Sequence, residues 1–119
     1  MSYDLAIWDG DRPSDDHQAC STYDELYERY LGSEDVEQPP APSITAYVKA
    51  LRERYPDPDV EDVVAAPLWV FSEASGPIAY LTMSYGNAVE VSEHAAALAR
   101  EHGLVCFDPQ TELLRPYPA

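Results

Sequence analysis

Three observations predict an α+β fold in which helices layer on one face of a mostly antiparallel sheet. Short segments of strand character open and close the 119-residue chain, and a further pair stands in its middle. Three longer stretches between them carry apolar residues at helical spacing. Glycine and proline punctuate nearly every junction. Apolar runs of strand length alternating with periodic helical stretches give the order β-α-α-β-β-α-β.

The elements follow in turn. Residues 2–8, SYDLAIW, read as a strand, with Tyr3, Leu5 and Ile7 alternating with Asp4, Ala6 and Trp8. DGDRPSDD is a turn, and Ser14 is a candidate N-cap for a helix from about Asp15 to Leu31. Ala19, Tyr23, Leu26, Tyr27, Tyr30 and Leu31 make its apolar stripe, and Gly32 suits the position just past its end. Residues 33–42 form a Pro-rich acidic connection, too short to separate two domains. Ser43 is a candidate cap for a second helix with Ile44, Tyr47, Val48, Leu51 and Tyr55 inward, and Pro56 ends it.

After the acidic loop PDPDVEDVVAAP, the strand Leu68–Glu73 turns through ASGP into the partner strand IAYLTMSY. Asn87 and Glu90 form an N-x-x-E capping box for a third helix, Ala88–His102, which buries Val91, Ala95, Leu98 and Ala99. Gly103 supplies a left-handed residue, LVCFD is the last strand, and TELLRPYPA is a tail. The economical topology for a single domain over residues 1–119 is a ferredoxin-like split βαβ core with an extra helix in the first crossover.

Charge is the strongest compositional signal. Twenty-two acids against seven bases give a formal charge of −15, and residues 1–62 alone hold 16 acids and 5 bases. Such a field repels nucleic acid and anionic membrane and attracts basic partners. Solubility alone also explains an acidic surface, and the single lysine among the bases points equally to genomic base composition. No apolar run approaches the ~18–20 residues that span a bilayer. The N-terminus lacks a basic region and a small-residue cleavage site. Two distant cysteines, Cys20 and Cys106, read as free thiols in a reducing cytoplasm.

The opening SYDLAIW, the central GPIAYLTMSY and the closing EHGLVCFDPQ resemble a group of small bacterial proteins. These open with a Ser-Tyr-Asp-Leu strand and end with a His-Gly corner before a strand closing on Phe-Asp or Tyr-Asp. The resemblance implies the architecture and carries no activity, ligand or site residue with it. Some small acidic bacterial domains of this general kind act as immunity proteins against toxins, which is an analogy of fold.

Four stretches are candidates for chemistry. In EHGLVCFDPQ a nucleophilic Cys106 would need His102 or His94 as base, but Cys106 sits between Val105 and Phe107 in an apolar strand and reads as a small hydrophobe. Asp108 before Pro109 reads as a turn residue, so the whole stretch reads as a helix-to-strand corner. Asp9 and Asp11, with His17 nearby, follow a strand end as divalent-metal ligands can, although Asp-Gly is also ordinary turn chemistry. The segment starting at Asp57 imitates a calcium loop but has Asp62 where the loop needs glycine and Leu68 where it needs glutamate. SEASGPIA lacks a phosphate-loop lysine, and G-x-S-x-G is absent.

The first expectation is therefore a non-catalytic module that docks a basic protein, in the manner of an inhibitor or immunity protein, with no cofactor. Its contact residues would be Asp24, Glu25, Glu28, Glu34, Asp35, Glu37, Asp57, Asp59, Glu61 and Asp62, with tyrosines of the first two helices as aromatic anchors. The alternatives are a small divalent-metal enzyme using Asp9, Asp11 and His17, and a soluble homodimer whose acidity serves solubility.

Overall fold

A computed structural model describes residues 2–32, 34–55, 70–84, 86 and 88–115. Its elements are β1 (Ser2–Trp8), α1 (Asp16–Tyr30), a 3-10 turn (Glu34–Val36), α2 (Pro42–Arg54), β2 (Val70–Ser75), β3 (Ile78–Ser84), α3 (Ala88–Glu101), β4 (Val105–Asp108) and β5 (Leu113–Arg115). The five strands form one sheet in the order β2-β3-β1-β4-β5, with every neighbouring pair antiparallel. The first four strands have the predicted split βαβ arrangement. β1 and β2 flank β3, and β3 and β4 flank β1, so each βαβ unit has a strand of the other inserted in it.

The helices divide between the two faces instead of sharing one. Leu5, Ala6, Ile7 and Trp8 are all 0–1% exposed, so β1 is buried on both sides. Leu5 and Ile7 join a core built by α2 and α3 through Ile44, Tyr47, Leu51, Val91, Ala95 and Ala99. Ala6 and Trp8 point the other way, into a smaller core with Ile78, Val105, Phe107 and Leu114 that α1 covers with Ala19, Tyr23 and Leu26. The physical reason lies in β1 itself: the residues alternating with Leu5 and Ile7 are also apolar, and a sheet buried on both faces needs cover on both. The extra helix of the first crossover, α1, is the one that changes sides.

The tail contains a strand. β5 pairs with β4 through Cys106↔Arg115, Phe107↔Leu114 and Asp108↔Leu113. Asp16 in the first turn of α1 accepts from the Leu114 N–H at 2.9 Å, which ties β5 to the helix above it. Three residues are too few for a periodicity to show, so the sequence reads there only as a tail. Two helix caps also differ from expectation. Asp15, not Ser14, caps α1 by accepting from the Gln18 N–H. α2 starts two residues early, on Pro42 with Ala41 as its N-cap, and the Ser43 hydroxyl instead donates to the Asp9 carboxylate at 2.6 Å. Leu68, Trp69, Asn87 and the Pro56 stop lie outside the described residues.

The β2–β3 turn shows why glycine is needed there. Gly76 has φ +52°, and a Cβ on it would come within 2.7 Å of the Tyr30 ring. The connection from α1 to α2 is pinned to the same turn, with the Gln38 N–H on Ser75 Oγ at 2.8 Å and the Ala41 N–H on the Gly76 carbonyl at 2.8 Å. Gly103 also has positive φ, +70°, but a Cβ there meets no atom within 4 Å. Gly103→Ala should therefore cost only the left-handed backbone term, ~1–2 kcal/mol. Gly76→Ala adds a displaced tyrosine ring, for a total of about 2–4 kcal/mol. Urea unfolding of the two variants measures the difference, and equal losses would contradict the turn packing described.

A candidate docking face

The ring of aromatic side chains under α1 runs from the core to the surface. Trp8 packs on Phe107 with centroids 6.0 Å apart, Phe107 on Tyr23 at 5.4 Å, Tyr23 on Tyr27 at 5.8 Å, and Tyr27 edge-on to Tyr80 at 5.6 Å. Tyr23, Tyr27 and Tyr30 sit on one side of α1 because three- and four-residue steps return to the same helix face. Trp8 and Phe107 are fully buried, Tyr23 is half-buried, and Tyr27 is 37% exposed, so the series ends at solvent. Each ring is braced by the one beneath it, which holds Tyr27 and Tyr80 in place at little entropic cost on contact.

Tyr80 is the hinge between this series and the acids. Its hydroxyl donates to Asp4 Oδ2 at 2.9 Å, and burial followed by the neighbouring carboxylate pushes its phenol well above the ordinary range. Burial raises the Tyr23 phenol too. Both remain neutral hydroxyls at any physiological pH. Across the ladder Tyr80 faces Glu73, and Thr82 faces Phe71, so these four side chains share the α1 side of the sheet. With Ser72 they line a shallow hollow of about 260 Å³ beside α1.

Acids border the aromatic residues. Asp24, Glu25 and Glu28 are exposed on α1, with Asp24 one helical step before Tyr27. Glu73 is exposed on the sheet, and Asp4 is held against Tyr80. Asp35 and Glu37 are exposed on the connection that the β2–β3 turn fastens. Glu34 belongs to the 3-10 turn of that connection. Asp57, Asp59, Glu61 and Asp62 lie outside the described residues. Of the ten acids expected to make the contact, the fold places Asp24 one helical step from the exposed Tyr27, while Glu28 and Glu25 are exposed farther round α1. Asp4, Glu73 and Tyr80 are additions that the sequence did not single out. Their signal was weak, since they lie on three different strands and only the pairing of those strands brings them together.

The Asp9, Asp11 and His17 set does not assemble. No three His, Cys, Asp or Glu side chains among the described residues are grouped as metal ligands, and Asp9 is engaged with Ser43 at the start of α2. The EHGLVCFDPQ corner is structural as expected, with Leu104 to Asp108 buried. His102 packs edge-on to Tyr47 at 5.8 Å, while burial pushes the Cys106 thiol up to about 12.

Asp108 exceeds the role of a turn residue. It is 0% exposed, and its carboxylate accepts from the Tyr3 hydroxyl, the Gln110 N–H at 2.9 Å, the Gln110 side-chain amide at 2.6 Å and the Thr111 N–H at 3.2 Å. Arg115 stands 3.8 Å away. Gln110 in turn bonds both backbone groups of Asp4, at 2.6 and 2.7 Å, prolonging the β1–β4 ladder with a side chain. Asp108 thereby joins β1, β4 and β5 at the end of the sheet where Asp4 and Tyr80 lie.

Set against models of protein families, curated proteins and solved structures, the chain matches none of them. Among the described residues no helix is long and apolar enough to cross a membrane.

The thiols allow a direct check on the corner. With its pKa near 12, about one Cys106 in 10⁴ is ionised at pH 8, against roughly a quarter of ordinary thiols. Cys20 is half-exposed, and its thiol is raised by partial burial and by the nearby Asp24 and Glu112 carboxylates. An alkylating reagent at pH 8 should modify Cys20 slowly and Cys106 only after denaturant is added. Rapid labelling of Cys106 in the folded protein, read by peptide mass, would contradict its burial.

Proposed function

We propose that the protein is a non-catalytic acidic module that docks a basic protein on the α1 side of its sheet. The observation that carries the reading is the coincidence of two features on one surface. Tyr27 and Tyr80 end a braced aromatic series there, with Asp4 on the Tyr80 hydroxyl, Glu73 across the ladder from Tyr80 and Asp24 one helical step from Tyr27. Aromatic anchors in a charged rim are what a specific interface uses: rings supply contact area, and charges supply steering and register. Within a chain of net charge −15, lysine or arginine side chains on the partner are the complementary groups.

An inhibitor is the form of partner-binding protein this surface suits best. Basic enzymes, among them toxins that act on nucleic acid, present arginines and lysines to their own substrate, and an acidic inhibitor competes for those groups. Asp35 and Glu37 would extend the contact if the partner reaches past α1. Long-range attraction between such surfaces speeds association and weakens as salt shortens the screening length, which is about 8 Å at physiological strength.

A pull-down with the tagged protein from the lysate of its own organism tests this, washed first at low and then at moderate salt, with mass spectrometry of the eluates. One basic protein should be recovered in near-stoichiometric amount. Asp24→Lys with Glu28→Lys should lose it, and Tyr27→Ala should weaken it by about tenfold, a typical hot-spot loss. Reversal of Glu90 and Glu93, exposed on the opposite side of the sheet in α3, should leave it bound. Capture that responds equally to both pairs of reversals would mean attraction by net charge, without a docking face.

A further inference from the structure

The bases of this acidic chain are not scattered. Arg12, Arg100 and Arg115, three of its seven basic residues, line a single cleft with Gly10, Gly103, Leu104 and Val105. Three separate segments bring them there. Arg12 comes from the loop between β1 and α1, Arg100 from the last turn of α3, and Arg115 from β5. The cleft encloses about 410 Å³, room for a small molecule, and it lies at the β4–β5 end of the sheet. The docking face uses the opposite side of the sheet order, β2 and β3.

Ordinary structural roles account for these arginines only in part. Arg12 donates to the Arg115 carbonyl at 3.2 Å, which fixes the loop against β5. Arg115 is 6% exposed and is oriented by Asp108 at 3.8 Å and by Ser92 Oγ at 3.4 Å. Arg100 favours the C-terminal end of a helix dipole. None of this explains why the three converge. Like charges around one cleft repel each other, and the chain has 22 acids from which partners were available. Yet neither Arg12 nor Arg100 is ion-paired with a carboxylate among the described residues. A cleft of this kind is stabilised by an anion that enters it.

We propose that the cleft binds a small phosphate-bearing molecule through Arg12, Arg100 and Arg115. Guanidinium forks match carboxylate and phosphate oxygens alike. Three forks from a loop, a helix end and a strand approach from different directions, however. A tetrahedral phosphate presents oxygens to all of them, whereas a planar carboxylate is filled by one fork. Glycines at positions 10 and 103 keep bulk out of the cleft, and a Cβ at Gly103 would meet no atom within 4 Å. Leu104 and Val105 form an apolar wall for the remainder of the ligand. The site is independent of the docking face and stands or falls separately.

The test is a titration of the full chain with pyrophosphate at constant ionic strength set by chloride, followed by calorimetry and by amide chemical shifts. Saturable one-to-one binding is expected, with shifts confined to residues 10–12, 100–105 and 113–115. Arg100→Gln, an exposed position, should weaken binding by about tenfold or more, as expected for a lost charge-assisted bond. Arg54→Gln, in α2, should leave it unchanged. Citrate, a tricarboxylate of similar charge, should bind more weakly than pyrophosphate. Failure to saturate by about 10 mM, the millimolar limit below which affinity is only a few kcal/mol, would overturn the proposal. So would equal effects of the Arg100 and Arg54 variants. Citrate binding as tightly as pyrophosphate would overturn the assignment to phosphate.

Discussion

β1 has no solvent side, and the rest of the architecture follows from that. Its four residues Leu5 to Trp8 are essentially inaccessible, so the sheet must be covered on both faces. α2 and α3 supply one cover, with aliphatic and alanine side chains and the buried rings of Tyr47 and Tyr55. α1 supplies the other with Ala19, Leu26 and the partly buried rings of Tyr23 and Tyr30. Removing a large side chain at the centre of such an arrangement costs ~3–5 kcal/mol, a substantial part of a domain's total stability.

The unequal covers give the two faces different surfaces. Beneath α2 and α3 the sheet is closed over by fully buried side chains, Tyr47 and Tyr55 among them. On the α1 side the helix lies over β5, β4 and β3, and the aromatic series emerges at its margin beside the side chains of β2 and β3. The Tyr80 hydroxyl is satisfied by Asp4, and Asp24 of α1 stands one helical step from Tyr27. At the far end of the sheet, the short strand β5 brings Arg115 to Arg12 and to the end of α3. The chain thus carries an acidic aromatic surface on α1 and β1–β3 and a basic cleft at β4–β5. Net charge alone describes neither.

Much of this was legible in the residues. Helix periods, the Gly103 corner and the β2–β3 turn announce themselves, since each depends on local chemistry over a few positions. The ferredoxin-like core was the economical topology for this element order, although nothing local in the residues fixes which strands pair. The side of the sheet taken by α1 was harder to read. Tyr3 and Asp4 gave β1 an amphipathic start, and that masked the apolar character of Ala6 and Trp8 on its second face. β5 was hidden by its brevity and by the prolines that follow it. Asp108 looked like a turn residue because its partners, Tyr3 and Arg115, are remote in sequence. The arginine cleft was invisible for the same reason: its members are 88 and 15 positions apart, and only folding adds them together.

The central claim is that acids and rings on the α1 side form a defined docking face within a surface that is acidic nearly everywhere. Chemical-shift mapping with a short arginine- and lysine-rich peptide tests it most directly. The account predicts shifts concentrated at Asp24–Glu28, Phe71–Glu73 and Tyr80–Thr82, with little change at Asp9, Asp11, Asp15, Glu90 or Glu93. Shifts of similar size at all of these acids would contradict it, and would reduce the charge of the chain to a general property of its surface.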